Sequence, residues 1–146
     1  MQMDLALARR AQVEVARSNF ELEEWARALD LFERIAIFET SEEDRETLRF
    51  YKAKSQLYLG KRLEGLRAIE AFAEHYPQSP FLVELQYEKA RAQIEMKRLE
   101  AGRQTLLELV EMGGVPEMNE AKEWGEWRRF AGNFLSNFYY EIGEYE

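Results

Sequence analysis

The sequence predicts an all-α chain, a solenoid of about seven helices arranged in antiparallel pairs, and three observations carry that reading. The first is an internal repeat. Lys61-Arg62-Leu63-Glu64 returns as Lys97-Arg98-Leu99-Glu100, each copy following a Lys-Ala-x-x-Gln-apolar segment (Lys52 to Leu57, then Lys89 to Ile94). The period is 36 to 37 residues, the size of a helix pair that buries its apolar face only by stacking on its neighbours. The second is apolar recurrence at helical spacing along nearly the whole chain. The third is composition: helix formers dominate, and only three prolines occur in 146 residues, as suits a helical protein.

Each element has its own local signal. Asp4 is placed as an N-cap for a first helix whose stripe runs through Leu5, Ala8, Val15, Ala16 and Phe20. Its partner carries Trp25, Ala28, Leu29, Phe32 and Ile35 on one face. Ser41 followed by Asp44 approximates a capping box, so a third helix is expected from Glu42 to Leu59, with Gly60 in the left-handed position that ends it. A fourth spans Arg62 to His75 and stops before Pro77. Ser79-Pro80 reads as an N-cap and a first-turn proline, opening a fifth helix to about Met96. A sixth runs from about Arg98 to Met112 and is halted by Gly113-Gly114; a last helix is expected over Glu117 to Ile142. The short connections between them force neighbours to run antiparallel.

Composition excludes several kinds of function. There is no cysteine, so disulfides, thiolate zinc sites and cysteine nucleophiles are out. With one histidine, His75, a metal site would be almost all carboxylate. The net charge of −8 repels nucleic acid and anionic membrane at long range, and no apolar run is long enough to span a bilayer. Neither a nucleic-acid partner nor membrane insertion is therefore expected. The first residues lack the basic flank and apolar run of a secretion signal. The sequence leaves the compartment open between the cytoplasm and, if a signal has been removed, the periplasm.

Local constellations read as structural. Gly113-Gly114 follows a helix, whereas a phosphate loop precedes one. His75 lies in the last turn of its helix, where the dipole favours a cation. Glu42-Glu43-Asp44 lies at a helix start, matched to the dipole, and lacks the glycine-turned loop that calcium needs. With no nucleophile elbow or paired-histidine helix, the expectation is a non-enzymatic protein without cofactor or metal.

The residues resemble the tetratricopeptide repeat, whose pattern places small residues at the eighth and twentieth positions and apolar residues at the twenty-fourth and twenty-seventh. Started at Arg9, unit one supplies Ala16, Ala28, Phe32 and Ile35; started at Glu46, unit two supplies Ala53, Gly65, Ile69 and Phe72, then Pro77; started at Val83, unit three supplies Ala90, Gly102, Leu106 and Leu109. Units of about 9–45, 46–82 and 83–116 and a closing helix of about 117–142 then make one domain over the chain. The pattern's fourth-position tryptophan is absent throughout, and unit three lacks the turn glycine. The phrase from Phe72 to Pro80 is similar to the longer repeats of bacterial envelope proteins.

That resemblance implies a right-handed solenoid and a concave groove lined by the first helix of each unit. Carried over residue by residue, it places Val13, Phe50, Tyr87 and Asn133 in one row, Arg17, Lys54, Arg91 and Asn137 in a second, and Phe20, Leu57, Ile94 and Tyr140 in a third. A basic row between apolar rows suits an extended or helical peptide with an acidic group; alternatively these cations pair with Glu21, Glu84 and Glu88. Val13 stands where the family's chaperone-tail clamp needs lysine, which argues against a chaperone C-terminus as ligand. The implied activity is protein–protein interaction.

A second surface is the last helix, where Trp124, Trp127, Phe130, Phe134 and Phe138 share a stripe with Leu135 and Ile142. Either this stripe packs on the sixth helix, or it awaits a further repeat in a longer protein or a second copy in a homodimer. Self-assembly through this helix is the alternative function.

Overall fold

A computed structural model describes residues 2–111 of the chain. The described residues are helical, with no strand among them. They form α1 (Gln2–Glu21), α2 (Trp25–Arg34), α3 (Glu42–Tyr58), α4 (Arg62–His75), α5 (Leu82–Glu95) and α6 (Leu99–Glu111). The expected closing helix over 117–142 lies outside the described residues. The chain divides between Tyr76 and Pro77 into two compact units. The first holds α1 to α4 and the second α5 and α6. None of the described helices is long and apolar enough to cross a membrane.

Within the first unit, α1 packs on α2, α3 packs on both, and α4 packs on α3. The core follows the apolar stripes: Val13, Ala16 and Phe20 from α1, Ala28, Leu29 and Phe32 from α2, Leu48 and Ala53 from α3, Leu66, Ile69 and Phe72 from α4. Each fully buried Phe or Ile contributes roughly 1.5–3 kcal/mol. In the second unit α5 packs on α6, with Leu82, Leu85, Ala90, Leu106 and Leu109 buried.

Three helix ends share one construction. The left-handed residue is Glu23 after α1 (φ 63°), Gly60 after α3 (φ 83°) and Lys97 after α5 (φ 64°), 37 residues apart each time. Its N–H donates to the carbonyl three residues back: Glu23 to Phe20 at 2.9 Å, Gly60 to Leu57 at 3.0 Å, Lys97 to Ile94 at 3.0 Å. The next N–H reaches five back: Glu24 to Asn19, Lys61 to Gln56 and Arg98 to Gln93, at 3.0, 2.9 and 2.8 Å. This pair of bonds is the Schellman motif. The following helix opens with the N–H groups of Ala28, Gly65 and Gly102 on the carbonyls of Glu24, Lys61 and Arg98.

The structural period is thus 37, the spacing of the units started at Arg9, Glu46 and Val83, while the Lys-Arg-Leu-Glu phrase itself recurs one residue short of it. Lys97 occupies the place of Gly60, not that of Lys61, so the third turn exists without its glycine.

Small residues recur behind each turn because the paired helices approach closely there. A β-carbon at Gly65 would lie 2.4 Å from Leu57 Cδ2, and one at Gly102 would lie 2.6 Å from Ile94 Cγ1. Ala28, at the corresponding place in the first pair, is fully buried.

Several boundaries differ from expectation for identifiable reasons. The first helix is already formed at Gln2, so Asp4 lies inside it and is not a cap. Ile37–Glu39 forms a 3-10 turn, closed by the Thr40 hydroxyl and the Arg45 Nε–H, both donating to the Ile37 carbonyl. Ser41 caps α3 as expected, its hydroxyl accepting the Asp44 N–H at 3.2 Å. Ser79 does not cap α5. Its hydroxyl accepts from Phe81 N–H and its carbonyl from Leu82 N–H, so Ser79-Pro80 forms a turn and i→i+4 bonding begins only at the Phe81 carbonyl.

Candidate functional site

The 37-residue register puts Arg17, Lys54 and Arg91 at equivalent places on α1, α3 and α5, yet their surroundings differ. Lys54 is only 8% exposed. Its ammonium lies over three aromatic faces, 5.1 Å from the ring centroid of Phe50, 5.2 Å from Phe20 and 5.8 Å from Tyr58. Contacts of this kind contribute about 2 kcal/mol or more when desolvated. The expectation of a displayed cation fails here because the four-carbon stem carries the charge back onto rings that the core supplies.

Arg17 is exposed, with its guanidinium 5.3 Å above the Tyr51 ring. Tyr51 in turn meets Phe20, Phe50 and Phe32 at 5.0, 4.9 and 6.2 Å. Trp25 closes the cluster, 4.8 Å from Phe20 and 4.9 Å from Tyr58. Val13, Phe20 and Phe50 are therefore core, not anchors for a ligand. Leu57 is half-buried where α3 meets Gly65.

In the second unit, Ile94 fills the corresponding place against Gly102. Tyr87 is half-buried. Arg91 is exposed and pairs with Glu95 at 3.7 Å, one turn along its own helix. Asn133, Asn137 and Tyr140 lie outside the described residues, as do Trp124, Trp127, Phe130, Phe134 and Phe138.

The acidic helix start is used internally. Asp44 pairs with Arg10 at 3.3 Å, while Glu42 pairs with Arg45 at 3.3 Å and accepts the Tyr76 hydroxyl at 3.1 Å. Burial, together with that bond to Glu42, holds the Tyr76 phenol above its usual 10.0. Among the described residues, no three His, Asp or Glu side chains are placed to hold a metal ion. His75 is exposed, and its Nδ1–H donates to the Ala71 carbonyl at 2.9 Å.

Sequence reasoning missed a pair of clefts in the first unit. One, of about 280 Å³, lies between α1 and α2 and is lined by Ala11, Gln12, Val15, Leu31, Arg34 and Ile35. The other, of about 310 Å³, lies between α3 and α4 and is lined by Arg49, Lys52, Gln56, Ala68, Ala71, Phe72 and His75. Gln12 and Arg49, Val15 and Lys52, Leu31 and Ala68, Arg34 and Ala71, Ile35 and Phe72 each stand 37 residues apart. The helix pair makes the cleft, and the local sequence sets its chemistry: the first is largely apolar, the second cationic.

One residue lining the second cleft carries an unmet polar group. Gln56 is 8% exposed and its Oε1 is buried without a hydrogen-bond partner. In the second unit the equivalent Gln93 Oε1 receives the Thr105 hydroxyl at 2.7 Å. The residue at Thr105's place in the first unit is Ala68, which has no hydroxyl to give. Counting by 37 exposes this mismatch in the sequence; counting by the 36 of the repeated phrase hides it.

A scan against protein-family models finds no match, and a search of curated proteins finds none either.

Proposed function

We propose that the chain is a non-enzymatic protein-interaction module, a right-handed tetratricopeptide-like solenoid of antiparallel helix pairs that carries a partner peptide on the first helices of its units. The observation that supports this reading is the threefold turn at Glu23, Gly60 and Lys97, each followed by a small residue at a helix crossing. Units repeated at this period stack in one dimension and present extended surfaces for binding. The partner is an acidic segment, met in the first unit by the exposed guanidinium group of Arg17 and in the second by that of Arg91. Lys54, buried over its aromatic cluster, is left out of this contact.

The test is capture of partners from a lysate by the wild type and by an Arg17→Glu/Arg91→Glu variant, at low and high salt. A partner held by this surface is lost on reversal and weakens with salt, because exposed charges are screened. Retention under both conditions refutes the basic row as the docking surface.

A further inference from the structure

We propose that the cleft between α3 and α4 binds a carboxylate carried on a polypeptide, an Asp or Glu side chain or a chain terminus, through Lys52, Arg49 and the Gln56 carboxamide. No residue of the basic row lines it, so this site stands or falls apart from the groove.

Four features converge on that ligand. The cleft's volume of about 310 Å³ is at the small end of ligand pockets, enough for one side chain. Its lining includes Arg49 and Lys52 but no Asp or Glu. Lys52 has no ion-pair partner among the described residues, although the chain as a whole carries −8. Arg49 and Lys52 are one turn apart on α3, where like charges repel; a bound anion turns that repulsion into attraction.

Arg49 is held in place independently. Its guanidinium lies 5.7 Å from the Tyr76 ring centroid and donates to the Tyr76 oxygen at 3.4 Å, and Tyr76 is fixed in turn by Glu42. The fourth feature is Gln56, whose Oε1 has no hydrogen-bond partner among the described residues. A polypeptide carries both a carboxylate and backbone N–H groups. The Gln56 amide, whose terminal torsion is broad and roughly two-fold, offers an N–H to the first or its oxygen to the second. A phosphate ion at neutral pH satisfies the cations and can offer a P–OH to that oxygen, so it is titrated as the competing ligand.

The experiment uses the full chain, labelled with nitrogen-15, and follows the Gln56 side-chain amide and the α4 backbone amides by NMR. Three probes are titrated: N-acetylglutamate N-methylamide, its glutamine counterpart and inorganic phosphate. The glutamyl probe is expected to shift these signals saturably, with at least tenfold weaker effects from the other two. Lys52→Met should weaken the glutamyl probe at least tenfold. Ala68→Thr, which gives Gln56 the hydroxyl partner that Gln93 has and narrows the cleft, should abolish the response. Arg17→Glu/Arg91→Glu should respond as wild type. The proposal is overturned by a glutamyl probe that leaves Gln56 unmoved, by equal affinity for the glutaminyl probe or for phosphate, or by full binding in Ala68→Thr.

Discussion

Thr105 donates its hydroxyl hydrogen to Gln93 Oε1 across 2.7 Å, and the pair 37 residues earlier, Ala68 and Gln56, makes no such bond. An unsatisfied buried acceptor costs about 1–3 kcal/mol, while threonine in place of alanine costs a helix up to about 0.7 kcal/mol. Ala68→Thr is therefore expected to stabilise the protein by about 0.5–2 kcal/mol. A thermal melt measures this, and a lowered midpoint means that the hydroxyl does not reach Gln56.

The three equivalent turns make a matched set for backbone strain. A non-glycine residue in the left-handed region costs roughly 1–2 kcal/mol, and glycine gives back about 0.5–1 kcal/mol through its freer unfolded chain. Lys97→Gly and Glu23→Gly should each stabilise by about 0.5–1 kcal/mol. Gly60→Ala should lose a similar amount, since an added β-carbon there meets nothing within 4 Å and the cost is backbone alone. Denaturant midpoints for the three variants decide it; a stabilised Gly60→Ala would contradict the assigned turn.

Lys54 and Arg17 are equivalent in the repeat and opposite in consequence. Lys54→Glu buries a carboxylate against ring faces that are themselves negative, and losses of about 3–5 kcal/mol are typical when a buried charge loses its partner. Arg17→Glu, on an exposed side chain, should stay within about 1 kcal/mol. Chemical denaturation of the two variants tests the contrast, and equal stabilities would mean that Lys54 is not held as described.

Tyr76 sets an alkaline limit. Its folded pKa is raised above 10.0, first by burial and then by its bond to Glu42, against the opposing pull of Arg49. The fold thus favours the neutral phenol. That contribution is complete below pH 10 and is lost as the pH climbs through the folded pKa. The difference in ultraviolet phenolate titration between wild type and Tyr76→Phe should have its midpoint above 10; a midpoint at or below 10 would show that Glu42 and burial do not act on this phenol.

Much of the helical layout was legible because the signals were local. Ser41 announces α3, Gly60 ends it, and Arg62 to His75 is bounded by a turn and by Pro77. The unforeseen features depend on contacts that no short segment encodes. Ile37-Phe38-Glu39 looks like a helical continuation, until the Ile37 carbonyl is claimed by Thr40 and Arg45. Lys97 carries no mark of a left-handed residue by type; the unit started at Val83 puts it at the turn, and its pair of backbone bonds shows the conformation. Periodicity grouped Val13, Phe20 and Phe50 correctly with their neighbours. The groove rows came from the tetratricopeptide resemblance, whose positions do not tell which side of a helix stays open when two others cover it, and so core residues were offered as groove. Lys54 reads as surface by type, and burial followed from rings contributed by α1 as well as α3. The cationic cleft escaped notice because its residues, taken one at a time, look like an ordinary solvated face.

The offset between the repeated phrase and the repeated backbone matters to anyone who would lengthen this protein. One residue of slip turns each later side chain by about 100° around its helix axis. Arrays copied in 36-residue blocks would rotate Gly65's successors out of the crossing and swing their larger neighbours in, and the error would compound with every added block. Blocks of 37 keep the small residues facing their partners, whichever residue ends the helix.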